Sequence, residues 1–210
     1  MARMLGWAER GLLGCALLLL GYAGFMMADS WMFQRQANRD LEHLLQNSRS
    51  GVAASEAPTT IIQTGSLIGR MDVDRLGISV VVMEGADEPV LARAAGHIVG
   101  TALPGEPGNV GIAGHRDTFF RPLKDIRRND IIRLTTPEGE FRYRVVSTRV
   151  VQPDQISVLD SDGGDSLTLV TCYPFYFVGS APHRFVVRAE QIPEPVAALQ
   201  PTRTFPHPKS

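Results

Sequence analysis

The sequence predicts a mainly β domain, closed or nearly closed into a barrel, held behind one N-terminal membrane-spanning helix. Three observations lead there. Short, β-branched, apolar runs recur at regular spacing between residues 67 and 192, with turn-forming residues between them. Helical patterns inside that region are few and short. Ahead of it, the run from Gly11 to Ala28 carries no charged residue and centres on four consecutive leucines, Leu17 to Leu20.

That run comes first in chain order. Its residues, at about 1.5 Å rise each, reach roughly 27 Å, close to the thickness of a hydrocarbon core. Trp7 and Trp31 flank it, and Asp29 is the first charge after it. Arg3 and Arg10 precede it, a basic bias that keeps the N-terminus inside. The predicted topology is single-pass in the plasma membrane, with everything after residue 28 extracytoplasmic. A cleavable signal ending near Gly21-Tyr22-Ala23 competes with this reading, but the apolar run continues to Met27.

Residues 29–66 follow as a helical stalk and then a linker. Trp31, Ala37, Leu41, Leu44 and Leu45 give the stalk an approximate apolar stripe. Ser50 to Ser66 is rich in Ser, Ala, Thr and Gly and reads as flexible. The domain occupies residues 67–192. Predicted strands cover 78–83, 110–113, 130–135, 140–151, 167–171 and 184–189. Thr136-Pro137-Glu138-Gly139 is a hairpin turn between two of them. Asp87 is placed to cap a helix through Ala95, and Thr118 another through Ile126. Residues 193–210, with five prolines, read as an extended tail.

The net charge of −1 argues against nucleic acid as a partner, which would need a concentrated basic surface. The basic residues between Arg121 and Arg128 are interrupted by Asp125 and read as a solvated segment. Only two cysteines occur. Cys15 falls inside the apolar run and Cys172 in the outer domain, so they cannot pair. Cys172 is then an unpaired thiol in an oxidising compartment, which calls for a reason.

Cys172 ends the apolar strand Leu167-Thr168-Leu169-Val170-Thr171. A strand end holds a nucleophile rigidly while its side chain meets solvent. A free thiol, with a pKa of about 8.5, is only ~3% thiolate at neutral pH, so a working nucleophile needs a partner. Of the five histidines, His43 lies in the stalk and His207 in the tail. Alternation turns His183 away from Arg184. His115 ends a short strand in Gly114-His115-Arg116-Asp117 and is the first candidate; His97 is the second. Arg184 could stabilise the oxyanion of an acyl transfer or could simply face solvent.

Together these residues resemble the sortase family. Thr168-Leu169-Val170-Thr171-Cys172 matches its TLxTC signature, with His115 before it and Arg184 twelve residues after it. Gly96-His97, Gly108-Asn109, the run from Gly114 to Phe120 and the segment from Gly179 to Arg184 are similar to the class D branch in particular. The resemblance implies an eight-stranded β-barrel and a cysteine transpeptidase. It implies Cys172 as the nucleophile, His115 as the acid and base, and Arg184 as the oxyanion and backbone ligand. Thr171, His97 and Asn109 enter as substrate-binding or architectural residues. No metal or organic cofactor is implied, and calcium dependence is left open beside the acids Asp160, Asp162 and Asp165. The implied partners are exported proteins with an LPxTG-like C-terminal sorting signal and an amine acceptor, either a cell-wall peptide or a pilin lysine. A peptidoglycan L,D-transpeptidase would instead show His and Cys close together in an SHGC-like motif, and a papain-like protease would reverse their order. An anchored, non-catalytic barrel with a structural cysteine is the remaining alternative.

Overall fold

The computed structural model describes residues 2–49, 63–177 and 179–193. Most of the expected linker, and the tail apart from Pro193, lie outside the described residues. Helix α1 runs unbroken over Ala2–Arg49. It holds one stretch long and apolar enough to cross a membrane. The eight strands are β1 (Leu67–Val73), β2 (Ile78–Glu84), β3 (Ala95–His97), β4 (Asn109–Ala113), β5 (Ile131–Thr136), β6 (Gly139–Val151), β7 (Ser166–Tyr173) and β8 (His183–Gln191).

They close into a barrel in the order β1-β2-β3-β4-β7-β8-β6-β5, with β5 returning to β1. Closure leaves no free sheet edge to aggregate. Most neighbours are antiparallel; β2–β3 and β4–β7 are parallel. Strand alternation sends Met71, Val80, Val82, Ile112, Ile132, Leu134, Tyr143, Leu167, Leu169 and Val187 into the interior, all essentially inaccessible. Each such Val or Leu contributes roughly 1.5–3 kcal/mol relative to exposure.

Two strands escape the sequence pattern. β3 is only Ala-Gly-His, without a β-branched residue. Its glycine is required by packing, since a Cβ on Gly96 would stand 2.2 Å from the Gly85 carbonyl oxygen. β1 is broken in pattern by Gly69, Arg70 and Asp72, and Asp72 is buried while ion-paired to Arg70 at 3.1 Å. The expected hairpin turn is present, with Thr136 facing Gly139 across Pro137 and Glu138.

The two expected helices are shorter than the sequence suggests. α2 covers only Glu88–Leu91, and Asp87 sits at its N-cap without a side-chain hydrogen bond. It stops because Ala94 and Ala95 are drawn into the interior as β3 begins. The segment after Thr118 is a 3₁₀ helix at Arg121–Asp125, with Phe120 at the cap position. Phe120 is fully buried and its N–H bonds the His115 carbonyl at 3.2 Å, so the preceding residues form a tight turn instead of a first helical turn.

Beyond the apolar run, α1 packs on the outside of the barrel. Leu41 and Ala37 are buried there. The Gln34 amide donates to the Arg93 carbonyl at 2.6 Å and accepts the Val81 N–H at 2.9 Å.

Candidate active site

β4 and β7 run parallel, and both end at the same rim of the barrel. Ala113 is the register partner of Val170, and two residues further on each chain stand His115 and Cys172. The Gly114 N–H continues the pairing to the Val170 carbonyl at 3.1 Å. Neighbouring strands lie about 4.8 Å apart, so the two side chains issue from adjacent strand ends. On the other side of β7, Cys172 is the direct cross-strand partner of Arg184 at the start of β8. Cys172 is an unpaired, half-buried thiol. Three strands thus bring thiol, imidazole and guanidinium to one rim, on the outward-facing side of the sheet.

Local sequence fixes each position. Gly114 precedes His115 because a Cβ there would stand 2.8 Å from the Phe120 ring. The Phe120 N–H and the His115 carbonyl then lock the turn. Thr171 points inward, and its hydroxyl donates to the Gly114 carbonyl at 2.7 Å, tying the end of β7 to the histidine turn. Arg184 donates through Nη1 to the carbonyls of Ala181 and His183 at 3.3 and 3.1 Å. His115 Nε2 lies 3.5 Å from the Glu88 carboxylate, which is 81% exposed. A water-exposed contact of that length contributes little.

Arg116 is the residue that sequence reasoning passed over. It sits in the quoted motif next to His115, yet only 6% of it is exposed. Its guanidinium donates to three carbonyls of the β7–β8 loop: Pro174 at 2.9 Å, Phe177 at 2.6 Å and Gly179 at 3.0 Å. It also lies over the Phe177 ring. The loop that joins Cys172 to Arg184 is therefore fastened to the histidine turn. An arginine is a poor sequence signal for burial, because only a loop folded back on itself supplies enough carbonyls to satisfy it.

His97 and Asn109 lie toward the opposite end of their strands from the Cys172 rim. The His97 ring is buried, with Nδ1 2.7 Å from the Glu84 carboxylate and Nε2 3.0 Å from both the Ala102 carbonyl and the Thr101 hydroxyl. Thr101 in turn donates to the Ile98 carbonyl and accepts the Gly111 N–H. The hub fastens the β3–β4 loop to β4. Asn109 donates to the Leu159 carbonyl at 2.8 Å and accepts from Thr168 and Ser166. It holds a 3₁₀ turn at Ile156–Leu159 against the outer face of β4 and β7. Val158 of that turn packs on Val186 of β8 and Val151 of β6.

Two of the acids between residues 160 and 165 are already engaged. Asp162 pairs with Arg188 at 2.8 Å, and Asp165 accepts the Gly108 N–H at 3.1 Å. The Arg188 charge holds the Asp162 carboxyl below its ordinary range. Among the described residues, no three His, Cys, Asp or Glu side chains are grouped to hold a metal ion.

A closed eight-stranded barrel with a cysteine and a histidine at adjacent parallel strand ends belongs to a narrow class of proteins. Residues 71–192, more than half of the chain, match the Sortase domain family, and the chain belongs to it. Sortase D of Bacillus subtilis (strain 168) is 28% identical over 189 residues, which cover 86% of this chain and 96% of that one. Sortase A of Bacillus anthracis is 26% identical over 122 residues, 56% of this chain and 58% of that one. Among solved structures, a Clostridium perfringens Sortase D5 transpeptidase superposes with a TM-score of 0.64 at 26% identity, over 77% of this chain and 99% of that chain. Membership of the family makes this protein a sortase transpeptidase of the cysteine type.

Proposed function

We propose that the protein is a membrane-anchored sortase of the class D type. It cleaves an LPxTG-like C-terminal sorting signal on exported proteins and passes the acyl group to an amine of a cell-wall peptide or a pilin-like subunit. The observation that carries the site assignment is the register: Cys172 faces Arg184 directly across β7–β8, and His115 stands at the matching position past β4. The sorting-signal substrate draws support from a related structure, Clostridium perfringens sortase C with the C-terminal cell wall sorting motif, at 24% identity and a TM-score of 0.59.

The Cys172 thiolate attacks the scissile carbonyl carbon, and the C=O electron pair moves onto oxygen. Collapse of this adduct breaks the C–N bond, and His115 gives its proton to the departing amine. The acyl group now sits on Cys172 as a thioester. An acceptor amine attacks it, loses a proton to His115 and releases the thiolate. Arg184 stabilises the oxyanion in both adducts. Its Nη1 is occupied by loop carbonyls, which leaves Nε and Nη2 to face the substrate. Every step uses side chains alone.

The full chain in lipid nanodiscs, given a quenched LPxTG-like peptide library and an amine acceptor, should give amine-dependent cleavage and an acyl adduct on Cys172 by mass spectrometry. Equal cleavage by wild type and Cys172→Ala across the library would overturn the assignment.

A further inference from the structure

α1 is one continuous helix, so the direction of its docked half fixes the direction of its apolar half. The contacts of the docked half are ordered along the barrel. Asp29 pairs with Arg93 at 3.2 Å, and the Ser30 hydroxyl donates to the Ala92 carbonyl at 3.2 Å. These partners lie just before β3, whose Gly96 pairs with Ala113 beside the histidine turn. Further along, Phe33, Ala37 and Asp40 line a cleft with Gly65, Leu67 and Met83. Leu67 and Met83 are register partners at the barrel end away from Cys172. The helix therefore descends from the catalytic side toward the far end. The twenty residues 30–49, at about 1.5 Å each, span roughly 30 Å, long enough to follow a nine-residue strand such as β8 from end to end. β1 begins at that same far end. The apolar half of α1 accordingly leaves the barrel at its catalytic end.

The surface of that end is independently unusual. The turns at 116–130 and 174–182 cap it. They expose Arg121, Arg127 and Arg128, and also Tyr176 and Phe177, which are 72% and 43% exposed. Arg121 lies 5.8 Å from the centre of the Tyr176 ring. The neighbouring cations are spent: Arg75 on Asp130, Lys124 on Asp125, and Arg116 on loop carbonyls. Arg121, Arg127 and Arg128 make no ion pair among the described residues. Exposed arginines interleaved with aromatic rings match the chemistry of the headgroup layer, where each cation near an anionic surface adds to attachment.

We propose that the catalytic end of the barrel is its membrane-facing end, docked on anionic lipid headgroups through Arg121, Arg127, Arg128 and Tyr176, with α1 as a rigid strut. The inference rests on the reading of α1 as a membrane anchor. It sets the Cys172 rim next to the bilayer surface.

The test uses the full chain in vesicles of phosphatidylcholine with phosphatidylglycerol, in a Cys15→Ala, Cys172→Ala background. A donor dye is placed at the catalytic end through Gln152→Cys or at the far end through Glu138→Cys, and headgroup-labelled lipid is the acceptor. The nine residues of β8, at about 3.3 Å each, separate the two ends by roughly 20–30 Å. Transfer from position 152 should be several-fold greater than from position 138. It should fall when Arg121, Arg127 and Arg128 are all changed to Glu, or when phosphatidylglycerol is omitted. Equal or reversed transfer in vesicle-bound protein overturns the orientation. Transfer that ignores both charge reversal and lipid charge overturns the headgroup docking. Protein that does not float with the vesicles removes the anchor reading, and this inference with it.

Discussion

Replacing Arg116 with Met removes a buried cation while keeping most of the side-chain volume. Three charge-assisted hydrogen bonds to the β7–β8 loop are lost. Each is worth about 1.5–3 kcal/mol net. The freed carbonyls at Phe177 and Gly179 can reach water, because Phe177 is partly exposed and Gly179 is exposed. The effective loss to the fastened loop is then about 2–4 kcal/mol, or about 30- to 1,000-fold in its closed-to-open equilibrium constant. Global stability should fall by less, because a released loop recovers about 1 kcal/mol of backbone entropy per residue and stops losing contacts once free. Chymotryptic cleavage after Tyr176 or Phe177 should accelerate at least about 30-fold, and turnover of the sorting peptide should drop, by no more than the change in that constant. Arg116→Lys should fall between, since one ammonium cannot reproduce a planar fork aimed at three carbonyls. Alkylation of Cys172 by iodoacetamide should persist, because its strand is untouched. Wild-type turnover together with a wild-type proteolysis rate in Arg116→Met would refute the claim that this arginine fastens the loop.

Three further outcomes are expected. Gly114→Ala forces a methyl against the buried Phe120 ring, at 2.8 Å in the unrelaxed geometry, and should cost about 1–3 kcal/mol in denaturant unfolding and most of the turnover. Arg184→Lys keeps the charge but loses the fork; acyl-adduct formation on Cys172 should fall at least about tenfold with folding intact, and near-normal rates would refute its role. Burial, with a smaller contribution from the Asp165 charge, pushes the Tyr143 hydroxyl up to about 12. A raised folded value means stability that is complete below the unfolded value of about 10 and is lost as pH rises toward about 12, by about 2–3 kcal/mol in all. In Tyr143→Phe, chemical denaturation should show that loss removed between pH 10 and 12.

Much of the barrel is legible in the sequence because its strands alternate. β6 declares itself through Phe141, Tyr143 and Val145, interleaved with Arg142 and Arg144, and β8 through the apolar run Phe185-Val186-Val187 bounded by Arg184 and Arg188. β3 is silent for the opposite reason: its Ala-Gly-His forms a strand only because β2 and β4 close on both sides. β1 is masked by an aspartate that reads as a turn residue and is in fact buried against Arg70.

The candidate site divides in the same way. Cys172, His115 and Arg184 are singled out by order and spacing, and the strand register brings their positions to one rim. What converts them into one site is not local. The parallel pairing of β4 with β7 joins segments separated by more than fifty residues, and it sets the thiol and the imidazole on adjacent strand ends. Thr171 and Arg116 then fasten that junction, one through the Gly114 carbonyl and the other through the β7–β8 loop. Both act on backbone carbonyls, whose positions no side-chain pattern records. His97 and Asn109 show the converse. Their residue types suggest chemistry, yet their hydrogen bonds are spent on the β3–β4 loop and on the 3₁₀ turn at Ile156–Leu159. Substitutions at either residue should therefore loosen those segments, seen as faster amide hydrogen exchange there, before they alter the rate at which iodoacetamide alkylates Cys172.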